Sequence, residues 1–126
     1  MDDLIISATP FTPEIHFRYS KGCLEMSGES YPENTSEFYK PVFHSLSEYL
    51  DGIRGENVTV ILRMRYFNSS SSKILINFFD LLDNAAAKEN TITVNWYYKE
   101  GDVDSMEFGE EFSEDLQAVR FNIIPE

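Results

Sequence analysis

A chain of 126 residues, 42% of them hydrophobic, is the size of one domain and can bury a core. Its 22 acidic residues against 10 basic ones leave a formal charge of −12. That balance argues against nucleic-acid binding, which needs a basic footprint, and against docking on anionic lipid. The single cysteine, Cys23, excludes an internal disulfide framework and a cysteine-based zinc site.

No apolar run approaches the roughly 18 residues of a membrane-spanning helix. The opening residues, MDDLIISATP, place acids where a secretory signal needs a basic start. The expectation is a soluble, cytoplasmic protein. Residues 1–13 read as a lead-in, punctuated by Pro10 and Pro13 and without sustained periodicity. Residues 14–19 alternate polar and apolar, as do residues 23–28, and the turn Ser20-Lys21-Gly22 joins them into a hairpin. A loop through Tyr31 and Pro32 follows. Asn34 or Thr35 can cap the next helix, whose apolar side runs from Phe38 to Ile53. Pro41 falls inside that pattern and predicts either a kink or the helix's true first turn.

Residues 57–67 (NVTVILRMRYF) are β-branched and aromatic, the composition of a central strand. Four serines, Ser69 to Ser72, open a strongly apolar helix carrying Ile74, Leu75, Phe78, Phe79 and Leu82. Residues 91–98 (TITVNWYY) are a further strand, and Lys99-Glu100-Gly101-Asp102 a turn. An acidic helix is expected over 104–119, with Met106, Phe108, Phe112, Leu116 and Val119 buried. Residues 121–124 make a last short strand. The order ββαβαβαβ predicts a single α/β domain, a mixed sheet with crossover helices, spanning 1–126.

The serine run is the most informative local feature. The first N–H groups of a helix lack intrahelical partners, and the helix dipole makes that end positive, so a phosphate there is stabilised twice. Phosphorylation of one serine would add about −1.5 to −2 charges at pH 7. The simpler reading is that one serine caps the helix and the rest solvate a turn. The run has no glycine and no G-K-[ST] motif, so it is not a phosphate-binding loop.

Other residues suggest less. The acidic helix, from Asp102 to Asp115, lacks a calcium-loop pattern and reads as a solvated face. His16 and His44 lie on different elements without ligand spacing, so no metal or cofactor is expected. Cys23 reads as core rather than nucleophile. Asn34, Asn57 and Asn68 head glycosylation sequons, which stay silent without a secretory signal. Tyr66, Phe67, Trp96, Tyr97 and Tyr98 stand near two strand ends, where any that are exposed would make a binding surface beside the serines.

Three segments together resemble one family: Gly28-Glu29-Ser30-Tyr31-Pro32-Glu33-Asn34, Tyr66-Phe67-Asn68-Ser69-Ser70-Ser71-Ser72-Lys73 and Asn95-Trp96-Tyr97-Tyr98. Phe78-Phe79-Asp80-Leu81-Leu82 and Gly109-Glu110-Glu111-Phe112-Ser113-Glu114-Asp115 fit the same pattern, which resembles the SiaC family of bacterial regulatory phosphoproteins. The resemblance implies a non-catalytic partner switch with a STAS-like fold, like that of anti-sigma-factor antagonists. It implies three partners: a protein kinase, a PP2C-type phosphatase and a diguanylate cyclase. The unphosphorylated form would activate the cyclase, raising cyclic di-GMP and favouring biofilm. The phosphoacceptor it implies is Ser69, directly after Asn68, with Tyr66, Asn68, Ser70, Ser71 and Lys73 as the partner-binding surface. Against it stand an acidic interaction module with another output and a small enzyme using carboxylates or the two histidines.

Overall fold

The structure, a computed structural model, describes residues Met1 to Glu126. The lead-in is not featureless. Leu4–Ile6 forms strand β1, which pairs antiparallel with β2 (Glu14–Arg18). Three residues are too few for a periodic signal, and only the half-buried Leu4 and Ile6 pack on the core. β2 pairs antiparallel with β3 (Cys23–Ser30) through a tight turn. Gly22 closes that turn at φ 61°, and a Cβ there would lie 2.6 Å from the Asn57 carbonyl oxygen. Glycine is the residue that tolerates both demands.

Helix α1 (Thr35–Asp51) starts at Asn34, whose side chain accepts from the Glu37 N–H at 3.1 Å. Pro41 therefore does not mark the first turn but lies inside the helix. It is exposed, so the Glu37 carbonyl it leaves unpaired faces water. β4 (Asn57–Phe67), α2 (Ser69–Ala86), β5 (Thr91–Tyr98), α3 (Val103–Glu114) and β6 (Arg120–Pro125) complete the chain. The order is βββαβαβαβ, one strand more than the sequence suggested.

The sheet runs β1 to β6 in chain order, antiparallel as far as β3 and parallel from β3 to β6. Three successive crossovers step in the same direction, and each is right-handed by the usual strand-twist rule. All three helices consequently cover one face. Between the helices and the sheet, Phe17, Leu24, Leu62 and Trp96 of the strands and Phe79 and Leu82 of α2 are essentially inaccessible. Phe78 stacks on Phe17 with ring centroids 6.2 Å apart, so the apolar face of α2 meets the sheet as its spacing predicts. The other face carries no helix. His16 and Cys23 stand half-buried on it, so Cys23 is not a core residue.

α3 ends at Glu114, short of the expected 119. The cause is remote. The Asp83 carboxylate of α2 accepts from the backbone N–H groups of Gln117, Ala118 and Val119, at 2.8 Å for Ala118. Those donors leave the helix for a stronger, charged acceptor.

Candidate functional site

The strand–helix junction of β4 and α2 is built on a cap. Asn68 holds an extended conformation, and its Oδ1 accepts from the Ser71 N–H at 2.9 Å. Its own N–H donates to the Ser30 carbonyl at 3.1 Å, which ties the junction to the end of β3. Ser69 is then the first helical residue. It is exposed, and no hydrogen bond engages its hydroxyl in the structure. Ser70 is exposed too.

Ser71 behaves differently and corrects its expected place on the partner-binding surface. It is 1% exposed. Its hydroxyl donates to the Ser30 carbonyl at 2.9 Å and lies 2.8 Å from the Ser30 hydroxyl, which lies 2.6 Å from the Tyr39 hydroxyl. Each hydroxyl has one hydrogen, so the chain has one direction. Ser71 spends its hydrogen on the carbonyl, Ser30 donates to Ser71, and Tyr39 donates to Ser30. Burial, only partly offset by Ser30, raises the Tyr39 pKa and keeps the phenol a donor. Helical spacing held the signal: Ser71 lies four residues before Leu75 and seven before Phe78, on the buried stripe.

Beside the junction, the first turns of α1 and α2 flank a shallow depression of about 760 Å³. Ser70 and Lys73 line it from α2, and Glu33, Asn34 and Glu37 from the start of α1. Lys73 makes no ion pair. Tyr66, 53% exposed, lies at the end of β4 with its ring against Tyr31. Ser69, Ser70, Lys73 and Tyr66 are thus brought to one end of the domain, with Asn68 as their support.

A residue insertion explains Tyr66. Gly28 pairs with Met64 and Glu29 with Tyr66, so Arg65 is an extra residue in β4. Such a bulge inverts the alternation that follows it. Phe67 turns inward against Trp96, Phe108 and Phe112, and Tyr66 turns out. Phe108 remains 39% exposed at the rim rather than buried.

The remaining candidates do not converge. His16 accepts from Arg18 Nε at 3.3 Å on the open face, whereas His44 is exposed on α1 across the sheet. No three His, Cys, Asp or Glu side chains are close enough together to hold a metal ion. The acidic side chains of α3 point to solvent. No helix is long and apolar enough to cross a membrane.

The pattern of the SiaC family, described as regulatory phosphoproteins, matches residues 6–126. The chain belongs to the SiaC family. A protein of Pseudomonas aeruginosa strain UCBPP-PA14, described as uncharacterized, is 36% identical over 116 residues, covering 91% of this chain and 90% of its own. SiaC of Pseudomonas aeruginosa is 32% identical, with full coverage of both chains and a TM-score of 0.88. A solved complex of the diguanylate cyclase SiaD with its activator SiaC, from the same organism, matches at 32% identity and a TM-score of 0.90. That match covers 98% of this chain and 100% of the other. The SiaC family is thus regulatory rather than catalytic, and its six-stranded mixed sheet with three helices is the fold seen here.

Proposed function

We propose that this chain is a cytoplasmic phospho-switch that binds and activates a diguanylate cyclase while Ser69 is unmodified and is released when Ser69 is phosphorylated. The solved relative that activates SiaD in a complex supports the cyclase as target. The observation that carries the switch is the contrast along the serine run. Ser69 offers a free, exposed hydroxyl at a helix start, while Ser71 is buried and committed. A kinase reaches the former without unfolding anything. The strand–helix position also suits the STAS-like reading, in which the acceptor sits between a strand and the next helix.

The physical effect of the modification is local. A phosphate at Ser69 brings charge and hydration into a contact that otherwise packs small, neutral groups. An unpaired charge in an interface costs several kcal/mol, and about 2.7 kcal/mol is already a hundredfold in affinity. A PP2C-type phosphatase would reset the switch, and a cyclase output would raise cyclic di-GMP and favour biofilm.

The test combines mass mapping of the native protein with binding of Ser69 variants to the cyclase of its own host. A single phosphate on Ser69, binding kept in Ser69→Ala and weakened about a hundredfold in Ser69→Glu, is the expected result. Equal binding by Ser69→Ala and Ser69→Glu overturns the switch at this residue.

A further inference from the structure

The two exposed serines at the start of α2 share one neighbour. Lys73 follows Ser69 by four residues and Ser70 by three. At about 100° per residue its side chain leaves the helix between theirs, one turn further on. Ser71 does not compete for it, because that hydroxyl is buried and committed to Ser30. Lys73 is exposed and is the one cation on the depression between the first turns of α1 and α2. Two carboxylates, Glu33 and Glu37, share that depression, yet Lys73 pairs with neither. Glu37 instead accepts from the Asn34 side-chain amide at 3.2 Å.

The helix itself offers Lys73 no anion. α1 carries Glu37 in its first turn and α3 carries Asp104, whereas α2 has no carboxylate before Asp80. The Ser71 N–H goes to the Asn68 side chain and the Ser72 N–H to the Asn68 carbonyl. Those of Ser69 and Ser70 are left without an acceptor. An anion one turn before a lysine is the favourable order for such a pair, because each charge then complements the nearer end of the helix dipole. A phosphate, with about −1.5 to −2 charges and three acceptor oxygens, suits that place better than any side chain now in it.

We propose that Lys73 is the intramolecular partner of a phosphate on Ser69, so that modification closes a phosphate–ammonium pair over the first turn of α2. This deepens the switch reading above and rests on Ser69 as its acceptor. The pair lays the phosphate along the helix instead of leaving it to swing free. It also takes the depression's one cation away from a partner's carboxylates. A single modification then adds an anion to the surface and withdraws a cation from it, and no element has to melt.

The test installs Ser69→phosphoserine in the full chain during synthesis, so it needs neither kinase nor partner. The phosphate is its own probe, followed by phosphorus NMR in low salt through its second ionisation at about pH 6. A neighbouring ammonium favours the dianion, so the expected midpoint lies about 0.3 pH or more below that of the same chain with Lys73→Gln. Lys73→Arg keeps the low midpoint. Lys88→Gln, at an exposed lysine past the far end of α2, leaves it unchanged. A midpoint that Lys73→Gln does not move, or that Lys88→Gln moves as much, overturns the proposal. The switch reading fails separately. A lowered midpoint with equal cyclase binding by Ser69→Ala and Ser69→Glu leaves the pair standing and removes the switch. An unmoved midpoint with the expected loss of binding in Ser69→Glu does the reverse.

Discussion

The Ser71 hydroxyl donates to the main-chain carbonyl of Ser30 across 41 residues of sequence, at 2.9 Å. That carbonyl also accepts from the Asn68 N–H, so a single oxygen at the end of β3 holds both the cap and the first turn of α2. The placement of Ser69 depends on a buried serine two residues away.

Stability should therefore separate two serines that look alike in sequence. Ser71→Ala removes a buried hydrogen-bond partner from Ser30 and should cost about 1–3 kcal/mol. Ser69→Ala alters an exposed position and should stay within about 0.5 kcal/mol. Urea denaturation of the two variants measures both. Equal midpoints would mean that the Tyr39–Ser30–Ser71 chain contributes nothing to holding the junction.

Trp96 and Gly109 give a second prediction. The indole is fully buried and donates to the Ser105 carbonyl of α3 at 3.0 Å, so the ring cannot swing aside. A Cβ on Gly109 would lie 2.7 Å from Trp96 Cδ1. Gly109→Ala gains helix propensity but overpacks this contact, and should destabilise by about 1–3 kcal/mol. Thermal melting with tryptophan fluorescence reads both the loss and the ring's displacement. A stabilised variant would show that α3 can move off the sheet.

The regular elements were legible because their signals are local. Residues 91–98 form the strand expected of them, and the α2 stripe from Leu75 to Leu82 packs where helical spacing places it. What escaped depended on partners remote in sequence or on single insertions. Strand β1 exists because β2 offers it an edge. The end of α3 is set by Asp83, more than 30 residues earlier. The inversion of Tyr66 and Phe67 comes from one extra residue, which alternation alone cannot locate. Within the site, the helix start at Ser69 was readable from the strand–helix boundary, but its cap was not: Asn68 caps the helix where a serine was expected. The separation of Ser71 from its neighbours was readable in principle from the helical stripe.

Asp83 makes acid sensitivity the last prediction. Partial burial raises its carboxyl, but the N–H groups of Ala118, Val119 and Gln117 together outweigh that and hold it below the ordinary 3.8. The folded value is depressed relative to the unfolded one. Its stabilisation is therefore complete above the ordinary carboxylate value and is lost as pH falls through the depressed one. Asp83→Asn keeps the shape but removes the charge, and near neutral pH should cost about 1 kcal/mol after solvent screening. Melting curves of both proteins from neutral pH down to about 3 should show the gap between them closing on the acid side. A gap of constant size would mean that the loop between α3 and β6 is held by shape rather than by the Asp83 charge.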